Sequence, residues 1–100
     1  MAQKNAFGLI EIFGLAYILQ AADAMGKAAD VDIVGYENVA SGYISVLAEG
    51  DVAACRAAVD AGVKAVEEMG GQVYSAVVIA NPHPALRKIT ERYAIKQLLG

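Results

Sequence analysis

Residues 37–54 read ENVASGYISVLAEGDVAA, and the fold turns on how this stretch divides. Two β-forming runs, 31–37 (VDIVGYE) and 43–48 (YISVLA), flank a link from Asn38 to Gly42 that is short enough to make them an antiparallel pair. Glu49-Gly50-Asp51 then ends the second run, and Asp51 is placed to cap a following helix by accepting hydrogen bonds from its free N–H groups. A hairpin turn is ordinarily polar, yet Ala40-Ser41-Gly42 is small and uncharged. Solubility does not explain that choice.

Working outward, residues 5–13 (NAFGLIEIF) are apolar at nearly every position, which predicts a strand covered on both faces. Gly14 marks a turn. From Leu15 to Ala29, the residues Leu15, Ile18, Leu19, Ala22 and Met25 follow helical spacing, with Gln20, Asp23 and Lys27 on the other side. A second helix runs from Val52 to about Met69 and stops at Gly70-Gly71. Its apolar line is Val52, Cys55, Val59, Val63 and Val66, its charged stripe is Arg56, Asp60, Lys64 and Glu68, and alanines fill the space between. Residues 72–80 (QVYSAVVIA) make a fourth strand, and Asn81-Pro82-His83-Pro84 enforces an extended turn, because each proline fixes its own φ and keeps its predecessor out of helical geometry. Beyond Pro84, Leu86, Ile89, Tyr93 and the run Ile95 to Leu99 predict a last helix with a basic side of Arg87, Lys88, Arg92 and Lys96. The order βαββαβα predicts an α+β, ferredoxin-like sandwich in one domain over 4–100, with a core of 5–84 and a helical tail of 85–100.

Of the 100 residues, 57% are hydrophobic and 19% charged, against roughly 45–50% and 25% for ordinary soluble domains. So small a domain leaves apolar surface uncovered, and an oligomer is the simplest remedy. The net charge of −3, with the basic side of the last helix read as a solvated face, argues against a nucleic-acid partner. The single cysteine, Cys55, lies among alanines and reads as a small core residue in a reducing cytoplasm. Ala6–Ala22 is interrupted by Gly8, Glu11 and Gly14, so it reads as strand plus helix and not as a membrane span.

Catalysis needs a nucleophile with a base and an oxyanion donor, or a metal with three or more ligands, and the chain is poor in these. His83 stands alone between prolines, and Cys55 has no evident histidine partner. Neither Gly50 nor Gly70-Gly71 makes a strand, glycine-rich turn and helix in the dinucleotide or P-loop pattern, and Gly70-Gly71 stands at the wrong end of its helix. The first strand offers Phe7, Leu9, Glu11 and Phe13 with no Lys or Arg beside them, which removes an RNA-recognition surface. No enzyme activity, metal or cofactor is expected.

The segments GLIEIFGLAYILQAADAMGKAADVDIVGYENVASGYISVLAEGDVAACRAAVDAGVKAV and NPHP together resemble the hexamer-forming, single-domain shell proteins of bacterial microcompartments. The likeness covers positions 6 to about 86, with AADAM, VGYE, the small tripeptide, GDVAACRAA and the PH turn in the family's order. It implies a cyclic hexamer that tiles into sheets, cytoplasmic, with itself and other shell proteins as partners, encapsulated cargo enzymes behind it and small polar metabolites passing a central pore.

By that resemblance the pore is lined by Asn38, Val39, Ala40, Ser41 and Gly42. Six copies of one turn meet on an axis, where large or charged side chains would plug the opening or repel each other. The resemblance also assigns the hexamer–hexamer edge to Lys27, Asp30, Asn81, Pro82 and His83. Three positions depart from the family's usual residues: Asn81 stands where many relatives have arginine, Ala40 where glycine is common, and Asn38 where many have lysine. These imply a weaker seam, a narrower or stiffer pore, and a less positive mouth. The other reading of such a fold is a regulatory domain that binds a small molecule at an oligomer interface.

Overall fold

The computed structural model describes residues 5–38 and 42–84. Its elements are β1 (Ala6–Phe13), α1 (Leu15–Ala28), β2 (Asp32–Asn38), β3 (Tyr43–Gly50), α2 (Val52–Glu68) and β4 (Val73–Ala80). The strands form one sheet in the order β2-β3-β1-β4, every neighbouring pair antiparallel. The helices pack on each other and on the sheet. The ferredoxin-like α+β sandwich expected from the sequence is therefore present, while the expected helix over 85–100 lies outside the described residues.

β1 is central because its sequence is the most continuously apolar. Its even positions meet the helices: a Cβ on Gly8 would lie 2.8 Å from Val59 Cγ2, and Ile10 and Ile12 are fully buried. Its odd positions face away, and the expected cover on both faces holds only in part. Phe7 is buried, Leu9 and Glu11 are half-buried, and Phe13 is 59% exposed. The reason is layering, since both helices lie on one side of the sheet.

Helix α1 turns a different stripe inward from the one the sequence favoured. Ile18, Ala21 and Met25 are buried, whereas Leu15 and Leu19 are 57% and 61% exposed. Both stripes share Ile18 and Met25, so helical spacing could not choose between their flanks; the small Ala21 lets α1 sit close to its neighbours. In α2 the buried line is Cys55, Ala58, Val59, Gly62 and Val66, with Val52 and Val63 only half-buried. Gly62 was not in the expected line. A Cβ there would stand 2.6 Å from Ile10 Cδ1 and 2.9 Å from Met25 Cγ.

The ends of α2 follow the sequence closely. Ala54 N–H donates to Asp51 Oδ1 at 2.7 Å, the expected cap. At the other end Gly70 takes φ +84°, while Gly70 N–H donates to Glu67 O and Gly71 N–H to Val66 O. β3 runs two residues beyond the expected Ala48, because Glu49 and Gly50 still pair with Phe7 and Ala6 of β1. Gly50 permits this: a Cβ on it would lie 3.0 Å from Val31 Cγ1 and 3.1 Å from Asp30 O.

A mid-helix glycine costs about 1 kcal/mol of helix propensity relative to alanine, so Gly62 persists because of the close approach it allows. Gly62→Val forces Ile10 and Met25 apart and should destabilise the chain by about 1–3 kcal/mol, read as a lower denaturant midpoint with unchanged slope.

Candidate functional site

The register decides where the candidate residues lie. Ala6 pairs with both Gly50 and Ala80, and Asp32 with Glu49, so one end of the sheet gathers the start of β1, the start of β2 and the ends of β3 and β4. Phe13 pairs with Tyr43 and Asn38 with Ile44 at the opposite end. An eight-residue strand separates the two ends by roughly 25 Å.

Asp30 and the turn 81–83 lie at the first end, and Lys27 occupies the last turn of α1, which delivers the chain there. Lys27 Nζ lies 2.9 Å from Asp23 Oδ2, one helical turn back, and both side chains are largely exposed. An exposed pair of this kind is worth only about 0.3 kcal/mol, so it aligns the lysine without holding it from another carboxylate or carbonyl. The sequence singled out Lys27 but not its partner Asp23, although the i, i+4 spacing was visible.

Asp30 is exposed, and its carbonyl oxygen would lie 3.1 Å from a Cβ placed on Gly50. Asn81 takes φ +48°, the left-handed region that asparagine tolerates better than most residues, and its N–H donates to Asn5 O at 2.7 Å. Asn81 and His83 are exposed, and Pro82 is half-buried between them. The five candidate rim residues thus share one end of the molecule.

The other end carries the β2–β3 turn. Val39, Ala40 and Ser41 lie outside the described residues, and Asn38 is placed by its backbone pairing with Ile44. Gly42 has φ +86°, and a Cβ on it would lie 2.8 Å from Phe13 Cε2. Gly42 O accepts a hydrogen bond from Gly14 N–H at 3.1 Å. Phe13, Tyr43 and Tyr74 form a row of rings beside the turn, which the sequence reading did not assign to the site. Strand alternation alone could place Phe13 and Tyr43 on one face; their adjacency needed the pairing of β1 with β3.

Among the described residues, no catalytic constellation is seen. Cys55 is buried, its Sγ donating to Ala6 O at 3.5 Å, and burial pushes its thiol above the usual range. Among the described residues no three of His, Cys, Asp and Glu gather where they could hold a metal, and no helix is long and apolar enough to cross a membrane. A groove of about 360 Å³ runs between α2 and β4, lined by Val59, Val63, Lys64, Glu67 and Val77 among others.

A fold with small residues at one end and an exposed lysine at the other matches a known family over residues 6–82, described as the BMC domain. The chain belongs to the BMC-domain family. It is 45% identical over 87 residues to the bacterial microcompartment shell protein PduA of Citrobacter freundii, covering 87% of this chain and 92% of that one. It is 47% identical over 85 residues to the carboxysome shell protein CcmK1 of Thermosynechococcus vestitus, covering 84% and 75% respectively. A crystal structure of a microcompartments protein from Desulfitobacterium hafniense DCB superposes with a TM-score of 0.76 at 34% identity, over 88% of this chain and 49% of that one, so the chain spans about half of that neighbour.

Membership gives the BMC-domain chain its role. It is a structural shell protein of a microcompartment and not an enzyme, and it works by assembling with itself and with other shell proteins. The regulatory reading is set aside on the same ground.

Two outcomes follow for this BMC domain. Gly42→Ala adds a left-handed non-glycine residue and a methyl against Phe13, and should cost about 1–3 kcal/mol in equilibrium unfolding. The folded chain keeps the Cys55 thiol neutral at pH values where the unfolded chain ionises it. Stability is therefore full below the free thiol's range and falls as pH rises through it, and Cys55→Ala should remove that alkaline slope from a pH series of unfolding midpoints.

Proposed function

We propose that six copies of this shell protein close into a ring with the 38–42 turn of each copy on the axis and the Lys27 end of each at the rim. One observation supports this above the others: the antiparallel register sets those two groups at opposite ends of one sheet. A chain laid radially then offers the small turn to the centre and the polar end to the next ring.

Ring contacts are heterologous, each chain giving different patches to its two neighbours. The flanks supply apolar material for them: Leu15 and Leu19 on α1, and Tyr74, Val77 and Ile79 on the edge strand β4, all exposed in the single chain. At about 25 cal/mol per Å², a few hundred Å² of such contact outweighs an exposed ion pair worth about 0–1 kcal/mol.

On the axis, Asn38, Val39, Ala40, Ser41 and Gly42 line an opening suited to small polar metabolites. Six Ser41 hydroxyls and nearby backbone N–H groups present donors without a fixed charge, so passage selects by size and hydrogen bonding more than by sign. At the rim, Lys27, Asp30, Asn81, Pro82 and His83 meet their counterparts in the next hexamer, and the sheet so formed separates cargo enzymes from the surroundings. The family's guanidinium is absent at Asn81, which leaves Lys27 a larger share of the seam.

Negative-stain electron microscopy of concentrated protein tests the tiling. Wild type should form hexagonal sheets or tubes that thin out with added salt, because exposed charge contacts are screened. Lys27→Ala and Lys27→Asp should abolish the sheets while light scattering still reports a hexamer. Sheets that persist in both variants would remove Lys27 from the seam, and a monomer or dimer in wild type would refute the ring.

A further inference from the structure

We propose that Phe13, backed by Tyr43 and Tyr74, is the positioning residue for the pore turn; the assignment of a pore rests on the reading above. A turn made of Ala40, Ser41 and Gly42 has almost no side chain of its own with which to fix itself. What holds Gly42, which joins that turn to β3, is visible in its surroundings. With no Cβ and φ +86°, Gly42 lets the Phe13 ring lie flush against its backbone, ring atoms Cε2 and Cζ standing 2.8 and 3.3 Å from where a Cβ would be. The next residue, Gly14, donates its N–H to Gly42 O at 3.1 Å. The β1–α1 junction thus grips the descending arm of the turn by one ring and one hydrogen bond.

The ring is itself braced. Phe13 meets Tyr43 edge-on, centroids 5.4 Å apart at 74°, and Tyr43 meets Tyr74 at 4.9 Å. Tyr74 arrives there through an irregularity in β4, where Ile12 pairs with Val73 and Glu11 with Ser75, leaving Tyr74 as the extra residue. Three neighbouring strands each commit one ring to the same corner. Phe13 and Tyr74 are nonetheless 59% and 68% exposed in the single chain, so core packing does not account for them. Six such corners, one per chain, would fix the radius at which the six turns stop.

The test is amide hydrogen exchange on the assembled ring. In Phe13→Ala the Gly14 N–H should exchange about tenfold faster, the loss expected for an aromatic contact of this kind. The amides of Leu9 and Glu11, inside the β1 ladder, should keep their rates, and Phe13→Tyr should restore Gly14 to its original rate. Unchanged exchange at Gly14 overturns the proposal, and so does a uniform acceleration of all three amides, which marks general destabilisation. Should Phe13→Ala fail to form a ring, Phe13→Leu keeps the apolar volume without the ring plane and is read in the same way. Exchange does not depend on whether anything passes the turn. Solute passage through assembled sheets judges the pore separately: Ser41→Trp that leaves passage unchanged would sink the pore while the Gly14 result still decides the role of Phe13.

Discussion

Ile10 in the notch of Gly62 is the contact on which the rest of this structure depends. The fully buried side chain of the central strand reaches into the space that a missing Cβ leaves in α2, and Met25 of α1 closes on the same point. That one junction sets the height of both helices above the sheet. With β1 held there, its two antiparallel ladders place β3 and β4, and β3 in turn places β2.

The two ends so created have opposite chemical characters. One is built from short residues and a positive-φ glycine, gripped by Phe13 and Gly14; the other is built from an exposed lysine, an exposed aspartate and a turn stiffened by proline. The proposed ring uses this division, because an opening tolerates little bulk while a seam needs long side chains that reach across it. The flanks between the ends carry the exposed leucines of α1 and the apolar edge strand β4, where non-directional burial can hold a ring that weak, screened ion pairs could not.

Much of this was legible in the chain. Asp51 announced the start of α2 and Gly70-Gly71 its end, since a cap and a left-handed stop are local chemistry. The six elements and their order followed from hydrophobic period and turn residues. Two features misled. Leu15 and Leu19 look more like core than Ala21 does, yet Ala21 is inside, because burial in α1 is chosen by how near a neighbour can come and not by hydropathy alone. Glu49 and Gly50 look like a loop, yet they stay in β3 because their partners on β1 continue beside them.

By itself the sequence determined the local states and the family: which segments are helix or strand, where they stop, and which short motifs place the chain among shell proteins. Those properties depend on residues within a turn or two of each other. Only the tertiary structure decided which stripe of each helix is buried, that Gly62 is a packing notch, that the turn and the Lys27 end lie at opposite ends of one sheet, and that Phe13 rests on Gly42. Each of these is a relation between residues far apart in the chain, fixed by the registers of β1 and by close approach, and no local period carries that information.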